Sequence, residues 1–163
     1  MFRRMRRKRQ EMTQEENMSV LTEGTSGVLA LHGDGGYPYA VPLSYVCDGS
    51  HIYFHCAREG HKVDAVNKSS KASFCVIGQD DIVPEKFTTH FRSVIAFGTV
   101  KILEDDSKKR AAIEKLALKY APEESKDSRS REIEREWKSL CVLDMTIEHL
   151  SGKKAIELVT RRG

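Results

Sequence analysis

Short runs of alternating apolar and polar residues, separated by tight-turn signals, occupy most of the chain between residues 28 and 103. Alternation with a period of two is typical of half-buried β-strands. The first turns, residues 33–36 (Gly-Asp-Gly-Gly) and Asp48-Gly49, are rich in residues that tolerate a positive φ. The pattern predicts six strands, at residues 28–32, 37–46, 51–56, 72–77, 93–103 and 141–148.

The strand predicted at 93–103 is apolar on both faces. Val94 and Ala96 share one face, and Ile95 and Phe97 share the other. A strand with two buried faces belongs to a closed barrel or to a sheet that is covered on both sides. We therefore predict that both faces of this strand are buried.

Helix signals are fewer. Thr13, followed three residues later by Glu16, forms a capping box, which predicts a short helix to about Leu21. The other predicted helices are residues 60–67, an amphipathic helix with Ile113, Leu116, Ala117 and Tyr120 on one stripe, and a helix with Ile133, Trp137 and Leu140 on another. Six strands and few helices predict a mainly β domain of the α+β class, dominated by an antiparallel barrel.

The net charge of +3 is unevenly distributed. Six of the positive charges lie in the first nine residues, so the rest of the chain carries −3. We predict a flexible basic arm over residues 1–12 and a single domain over residues 13–163. A basic arm can contact nucleic acid, but the body has no basic stripe or aromatic platform for reading bases, which argues against a nucleic-acid partner.

Cysteine usage and hydropathy both favour a cytoplasmic protein. No stretch approaches the roughly 20 apolar residues of a membrane helix, and no apolar signal segment follows the basic arm. The four cysteines are scattered without a C-x-x-C pair, so we interpret them as reduced thiols and expect no metal site. They are Cys47, Cys56, Cys75 and Cys141.

The segment at residues 58–62 is a candidate phosphate site. It follows a predicted strand and opens a predicted helix, where free N–H groups and the helix dipole attract anions. Gly60 allows close backbone approach, and Lys62 adds a positive charge. A strand–glycine–helix turn with a solvated lysine has the same pattern, so both interpretations stay open.

The strand predicted at 37–46 is interrupted by Pro38 and Pro42. Proline cannot donate to a sheet ladder, so this strand should lie at an edge or carry a bulge. An interrupted strand can hold a flat apolar ligand, but taken alone the two prolines fit the blunting of an edge against aggregation better.

Three segments, taken in order, resemble one known family. They are GYPYAVPLSYV at 36–46, IYFHCAREGHK at 52–62 and VPEKFTTHFRSVIAFG at 83–98. These segments resemble the FMN-binding split barrels of the pyridoxamine 5'-phosphate oxidase-like family and are most similar to its nitroimidazole-resistance flavoproteins. The resemblance implies a six-stranded antiparallel split β-barrel with flanking helices, which binds FMN at the interface of a homodimer.

The resemblance also implies roles for individual residues. His55 and Cys56 would lie near the FMN phosphate, and His61 and Lys62 occupy the place of an Arg-Lys pair that grips it. The isoalloxazine ring would be bordered by Val41, Pro42, Leu43 and Ser44. Arg92 and Ser93 would also contact the FMN, since they occupy a position where the oxidases carry Arg-Gln.

Two departures from the family pattern limit the activity. His61 replaces the phosphate-binding arginine, and Ala40 stands where another arginine is expected. Pyridoxamine-phosphate oxidation needs dense positive charge for two phosphorylated ligands, so these changes argue against that activity. One lysine and a helix start can still bind the single phosphate of FMN. The chain also lacks a G-x-G-x-x-G motif for a nicotinamide cofactor.

His61 is the candidate catalytic residue. Histidine, with an ordinary pKa of about 6.5, can donate a proton to a substrate that is being reduced; alternatively, His61 only helps to bind the phosphate. His51 and His55 share a strand face about 13 Å apart, too far to share one metal ion.

We expect an FMN-dependent oxidoreductase acting on a small molecule, with nitroaromatic compounds and nitroimidazoles as candidate substrates. The alternative is a flavin- or haem-binding module without efficient turnover.

Overall fold

The computed structural model describes residues 1–159, so the last four residues of the predicted domain lie outside the described residues. Four α-helices accompany seven β-strands. The helices are α1 (Gln14–Glu23), α2 (His61–Lys68), α3 (Asp106–Tyr120) and α4 (Lys126–Glu136). The strands are β1 (Ser26–His32), β2 (Pro38–Ser44), β3 (Val46–Asp48), β4 (His51–Ala57), β5 (Lys71–Val83), β6 (Thr88–Ile102) and β7 (Leu140–Lys154).

All seven strands form one antiparallel sheet in the order β2-β1-β5-β6-β7-β4-β3. The two edge strands, β2 and β3, are consecutive in the chain, and β2 also contacts β4. The sheet must therefore curl until its two edges approach without closing into a continuous ladder. This is a split β-barrel, and the predicted fold class is confirmed.

The strand count is seven rather than six because the strand predicted at 37–46 divides at Tyr45. The Tyr45 side chain is fully buried, and its hydroxyl donates a hydrogen bond to the Leu21 carbonyl at 2.6 Å. Its backbone N–H donates to the Tyr120 hydroxyl of α3 at 2.8 Å instead of to a neighbouring strand. Tertiary contacts with two helices thus interrupt the ladder at this residue.

Aromatic rings fill the barrel interior. Phe74 of β5 makes edge-to-face contacts with Phe54 of β4 and with Tyr45, at centroid distances of 4.9 and 4.7 Å. All three side chains have no exposed surface. These contacts join opposite sides of the curled sheet, so they stabilise the barrel as one unit.

The prediction that both faces of β6 are buried was wrong for the single chain. Val94 and Ala96 face the core, but Ile95 is 38% exposed. Ile95 pairs with Cys75 of β5, which pairs with Val28 of β1, itself 39% exposed. An apolar strip of Val28, Cys75 and Ile95 therefore crosses the outer face of three neighbouring strands.

The helices follow their sequence signals closely. The capping box predicted for α1 is present, with Thr13 and Glu16 exchanging hydrogen bonds. The predicted stripe of α4 was wrong at its end, because Leu140 already begins β7. No helix among residues 1–159 is long and apolar enough to span a membrane.

The N-terminal segment contacts the sheet at two places. Gln10 and Met12 are buried, and the Phe2 ring stacks on His149 at 4.6 Å and lies 5.6 Å from Phe97. The last residues of the predicted arm are thus packed against the body. The flexibility of its charged residues stays a prediction.

Candidate functional site

The turn between β4 and α2 is shaped by Gly60. Its φ of 124° and ψ of 173° lie in a region that side chains disfavour, and a Cβ added there would meet no atom within 4 Å. The Gly60 carbonyl accepts the N–H groups of Val63 and Asp64, at 2.9 and 3.1 Å. No side chain of the described residues caps the start of α2. The first N–H groups of the helix therefore have no side-chain acceptor among the described residues, and an anion could accept from them.

Lys62, in the first turn of α2, lies close to the end of β4. Its positive charge lowers the pKa of the His55 imidazole, in addition to the larger lowering by desolvation. His55 is nonetheless exposed on its outer side. The Lys62 charge also acts on the thiol of Cys56. The structure therefore brings His55, Cys56, Gly60 and Lys62 together at one end of the barrel.

His61 points away from this cluster, toward β2. Its ring stacks on Tyr39 with a centroid distance of 4.0 Å, and its Nε2 atom lies 3.7 Å from the Asp34 carboxylate. The hydrogen bond from Lys68 at 2.5 Å is the main reason that the Asp34 pKa is lowered. His61 is thus placed between an aromatic ring and a carboxylate.

β2 places the predicted ring-contacting residues on an open edge of the sheet. Among residues 1–159 it pairs with β1 alone, so no described residue pairs with its second edge. Val41 and Leu43 are half-buried on the face that carries Tyr39, whereas Pro42 and Ser44 are exposed on the other. Since Tyr39 contacts His61, the helix start and this strand form one continuous candidate surface.

The other two predicted site residues lie elsewhere. Arg92 lines a cavity of about 700 Å³ together with Glu16 of α1 and Ile77 of β5. Ser93 is the next residue of β6 and pairs with Ile77. The predicted site therefore falls into two groups, one at the α2 start and the other beside α1.

Sequence reasoning missed Tyr39 and Asp34 as neighbours of His61. Asp34 lies in the Gly-rich turn after β1, where an aspartate in the sequence indicates a turn and not a functional site. No three His, Cys, Asp or Glu side chains cluster as metal ligands in the part of the chain that the structure describes.

Comparison with family models assigns this split barrel to a family. The model described as pyridoxamine 5'-phosphate oxidase matches residues 13–154. The chain belongs to this family, which confirms the resemblance seen in the sequence. No curated protein matches the chain.

Solved structures share the fold at low identity. A candidate 5-nitroimidazole antibiotic resistance protein from Bacteroides thetaiotaomicron is 18% identical with a TM-score of 0.72, covering 88% of this chain and 86% of that one. An FAD-binding protein from Mesorhizobium loti is 23% identical with a TM-score of 0.62, covering 88% and 94%. An FAD- and haem-binding protein from Mycobacterium smegmatis is 21% identical with a TM-score of 0.73, covering 90% and 73%.

Proposed function

We propose that this protein binds FMN and uses it to reduce a small molecule, with nitroimidazoles and other nitroaromatic compounds as candidate substrates. The observation that carries the proposal is the uncapped start of α2, with Gly60 open and Lys62 beside it. One helix start and one lysine suit a single phosphate group. The flavin-binding proteins of Mesorhizobium loti and Mycobacterium smegmatis, which share the fold, support the cofactor class.

The residues present fit FMN in two parts. Lys62 and the free N–H groups of α2 would hold the phosphate, with His55 and Cys56 nearby. The edge strand from Val41 to Ser44 would border the ring, largely through its backbone groups. The flavin supplies the redox chemistry when bound, while the protein binds, orients and shields it.

The surroundings of His61 favour a proton-donating role over phosphate binding. Asp34, 3.7 Å from Nε2, would repel a phosphate at this position. Stacking on Tyr39 holds the ring on the β2 side, where the isoalloxazine ring would lie. His61 is therefore our candidate general acid.

Replacing His61 by glutamine should keep FMN bound but slow the oxidation of the pre-reduced protein by a nitroimidazole at least about tenfold, because general-acid assistance is typically worth 10²–10⁴-fold. Single-turnover kinetics, normalised to flavin content, measure this. An unchanged normalised rate would remove His61 from catalysis. Absence of oxidation in the wild type would remove nitroreduction and leave FMN binding to be judged separately.

The number of cations at the candidate site also bears on the charge of the proposed substrate. His61 and Ala40 replace two arginines of the family pattern, and Asp34 adds a negative charge near His61. A second phosphorylated ligand would lack a cationic partner here. We therefore propose an uncharged or weakly charged substrate.

The assembly proposed is a homodimer with FMN at its interface. The strip of Val28, Cys75 and Ile95 is apolar and open in the single chain, and such patches mark interaction surfaces. A second chain would also bring Arg92 and Ser93 to a flavin held by Lys62, joining the two groups of site residues. Four free thiols fit the proposed cytoplasmic location.

Light scattering at micromolar concentration should therefore show a dimer. Replacing Ile95 by glutamate should raise the dimer dissociation constant at least about tenfold, because an unpaired charge would be buried. Leu118→Glu, on the outer side of α3 and 53% exposed, is the matched control and should change little. A wild-type monomer with FMN bound would contradict the shared site.

The alternative is a flavin- or haem-binding module without efficient turnover. The Mycobacterium smegmatis structure, which binds both FAD and haem, is the observation that favours it. The visible spectrum distinguishes the two cofactors, since haem has a Soret band and flavin does not.

A further inference from the structure

Two of the four cysteines lie directly opposite each other in the sheet. Cys56 of β4 pairs with Cys141 of β7. Opposite residues of an antiparallel pair have Cα atoms about 4.5–5.5 Å apart, which is within the range of about 4.4–6.8 Å that a disulfide spans. The backbone therefore already holds the two thiols at a separation that permits an S–S bond.

Cys141 also lines a cavity of about 350 Å³ whose wall carries charges of both signs. The cations Arg58 and Lys109 and the carboxylates Glu104 and Asp106 line the same cavity. Lys109 is buried, with 4% of its surface exposed, and its ammonium lies 4.2 Å above the Trp137 ring and donates to the Trp137 carbonyl at 3.4 Å. The cavity gives a small reagent access to an otherwise buried sulfur.

This environment favours the thiolate form of Cys141. Hydrogen bonding with Cys56 is the largest influence, and together with the charges of Lys109 and Arg58 it outweighs desolvation, lowering the pKa of Cys141 to about 7. The pKa of Cys56 is raised, mainly by the same hydrogen bond and by burial. The lowered pKa of Cys141 and the raised pKa of Cys56 favour Cys141 as the nucleophilic thiolate and Cys56 as the thiol.

We infer that Cys141 is a peroxide-reactive thiol and that Cys56 resolves its oxidised form as a disulfide. The Cys141 thiolate attacks one oxygen of hydrogen peroxide, the O–O bond breaks, and hydroxide leaves, so that Cys141 becomes a sulfenic acid. The Cys56 sulfur then attacks the Cys141 sulfur, the S–O bond breaks, and water leaves with the proton of Cys56. The two sulfurs together lose two electrons, which reduce the peroxide.

The other two cysteines provide internal controls. Burial raises the pKa of Cys47 to about 11 and also raises that of Cys75. Cys47 pairs with Ile52, and Cys75 pairs with Val28 and Ile95, so neither has a thiol opposite. Both should react with peroxide much more slowly.

The test treats the purified full-length protein with hydrogen peroxide in the dark, then denatures and alkylates it for mass spectrometry. The free thiols of Cys56 and Cys141 should be lost together, and a disulfide-linked peptide pair that lacks two hydrogens should form. This loss should be at least about tenfold faster than the loss of the free thiol of Cys47 or Cys75. In Cys56→Ser, oxygen should be added at Cys141 instead. Equal loss of all four thiols, or no link between residues 56 and 141, would overturn the inference.

A second variant separates electrostatics from folding. Lys109→Met should move the midpoint of the pH profile of Cys141 oxidation to higher pH, because the nearby positive charge favours the thiolate. Lys108→Met, an exposed neighbour on α3, should leave the midpoint unchanged. Equal midpoints in Lys109→Met and wild type would show that Lys109 does not activate Cys141.

Discussion

Replacing Lys62 by alanine should weaken FMN binding by about 1.5–3 kcal/mol, which is the scale of a lost charge-assisted hydrogen bond. The dissociation constant should rise roughly tenfold to a hundredfold. The reason is that Lys62 is the side-chain cation beside the uncapped start of α2. Titration of the flavin-free protein with FMN, followed by quenching of flavin fluorescence, measures the change.

Lys68→Ala is the matched control for this prediction. Lys68 lies at the other end of the same helix, where it is exposed and paired with Asp34. Its removal should change FMN affinity by less than about 0.5 kcal/mol, as is usual for exposed positions. Equal losses at both lysines would mean that Lys62 acts only through the general surface charge.

The largest stability effect should come from Phe74→Ala, which should lower the free energy of unfolding by about 3–5 kcal/mol. Phe74 is fully buried and touches Phe54 and Tyr45 edge-to-face. Its removal would leave a cavity where opposite sides of the curled sheet meet. Urea unfolding at equilibrium, followed by circular dichroism, measures the loss.

Phe87→Ala provides the contrast. Phe87 follows the turn between β5 and β6 and is 99% exposed, so its removal should change the free energy of unfolding by less than about 0.5 kcal/mol. A loss at Phe74 no larger than the loss at Phe87 would show that the aromatic cluster does not hold the barrel together.

Local sequence signals were sufficient for much of the fold. The Thr13–Glu16 capping box, the turn at residues 33–36 and the alternation along 51–56 each depend on neighbouring residues only, and each matches the structure. The division at Tyr45 could not be predicted, because it depends on hydrogen bonds with Leu21 and Tyr120, far away in the chain.

The β5–β6 hairpin shows a second limit. Its strands were predicted at 72–77 and 93–103, yet they pair from Lys71↔Thr99 outward to Val83↔Thr88, across a register shift near Ile77. The added segment contains Asp80 and Asp81, which lack strand propensity. Pairing with the opposite strand overrides that local preference.

The candidate site divides in the same way. The arrangement of Gly60 and Lys62 at a helix start followed from adjacent residues, and the structure has it as expected. The stacking of His61 on Tyr39 and the position of Arg92 beside α1 depend on how the sheet curls. Such contacts between distant segments leave no periodic signal in one sequence.

FMN binding can be tested by the absorbance spectrum of the purified protein, together with chromatography of the cofactor that it releases on denaturation. We expect a yellow protein with the visible band of oxidised flavin, which releases FMN because the site around Gly60 and Lys62 suits one phosphate group. A colourless protein that cannot be reconstituted with FMN, or one that releases FAD or haem in place of FMN, would contradict it.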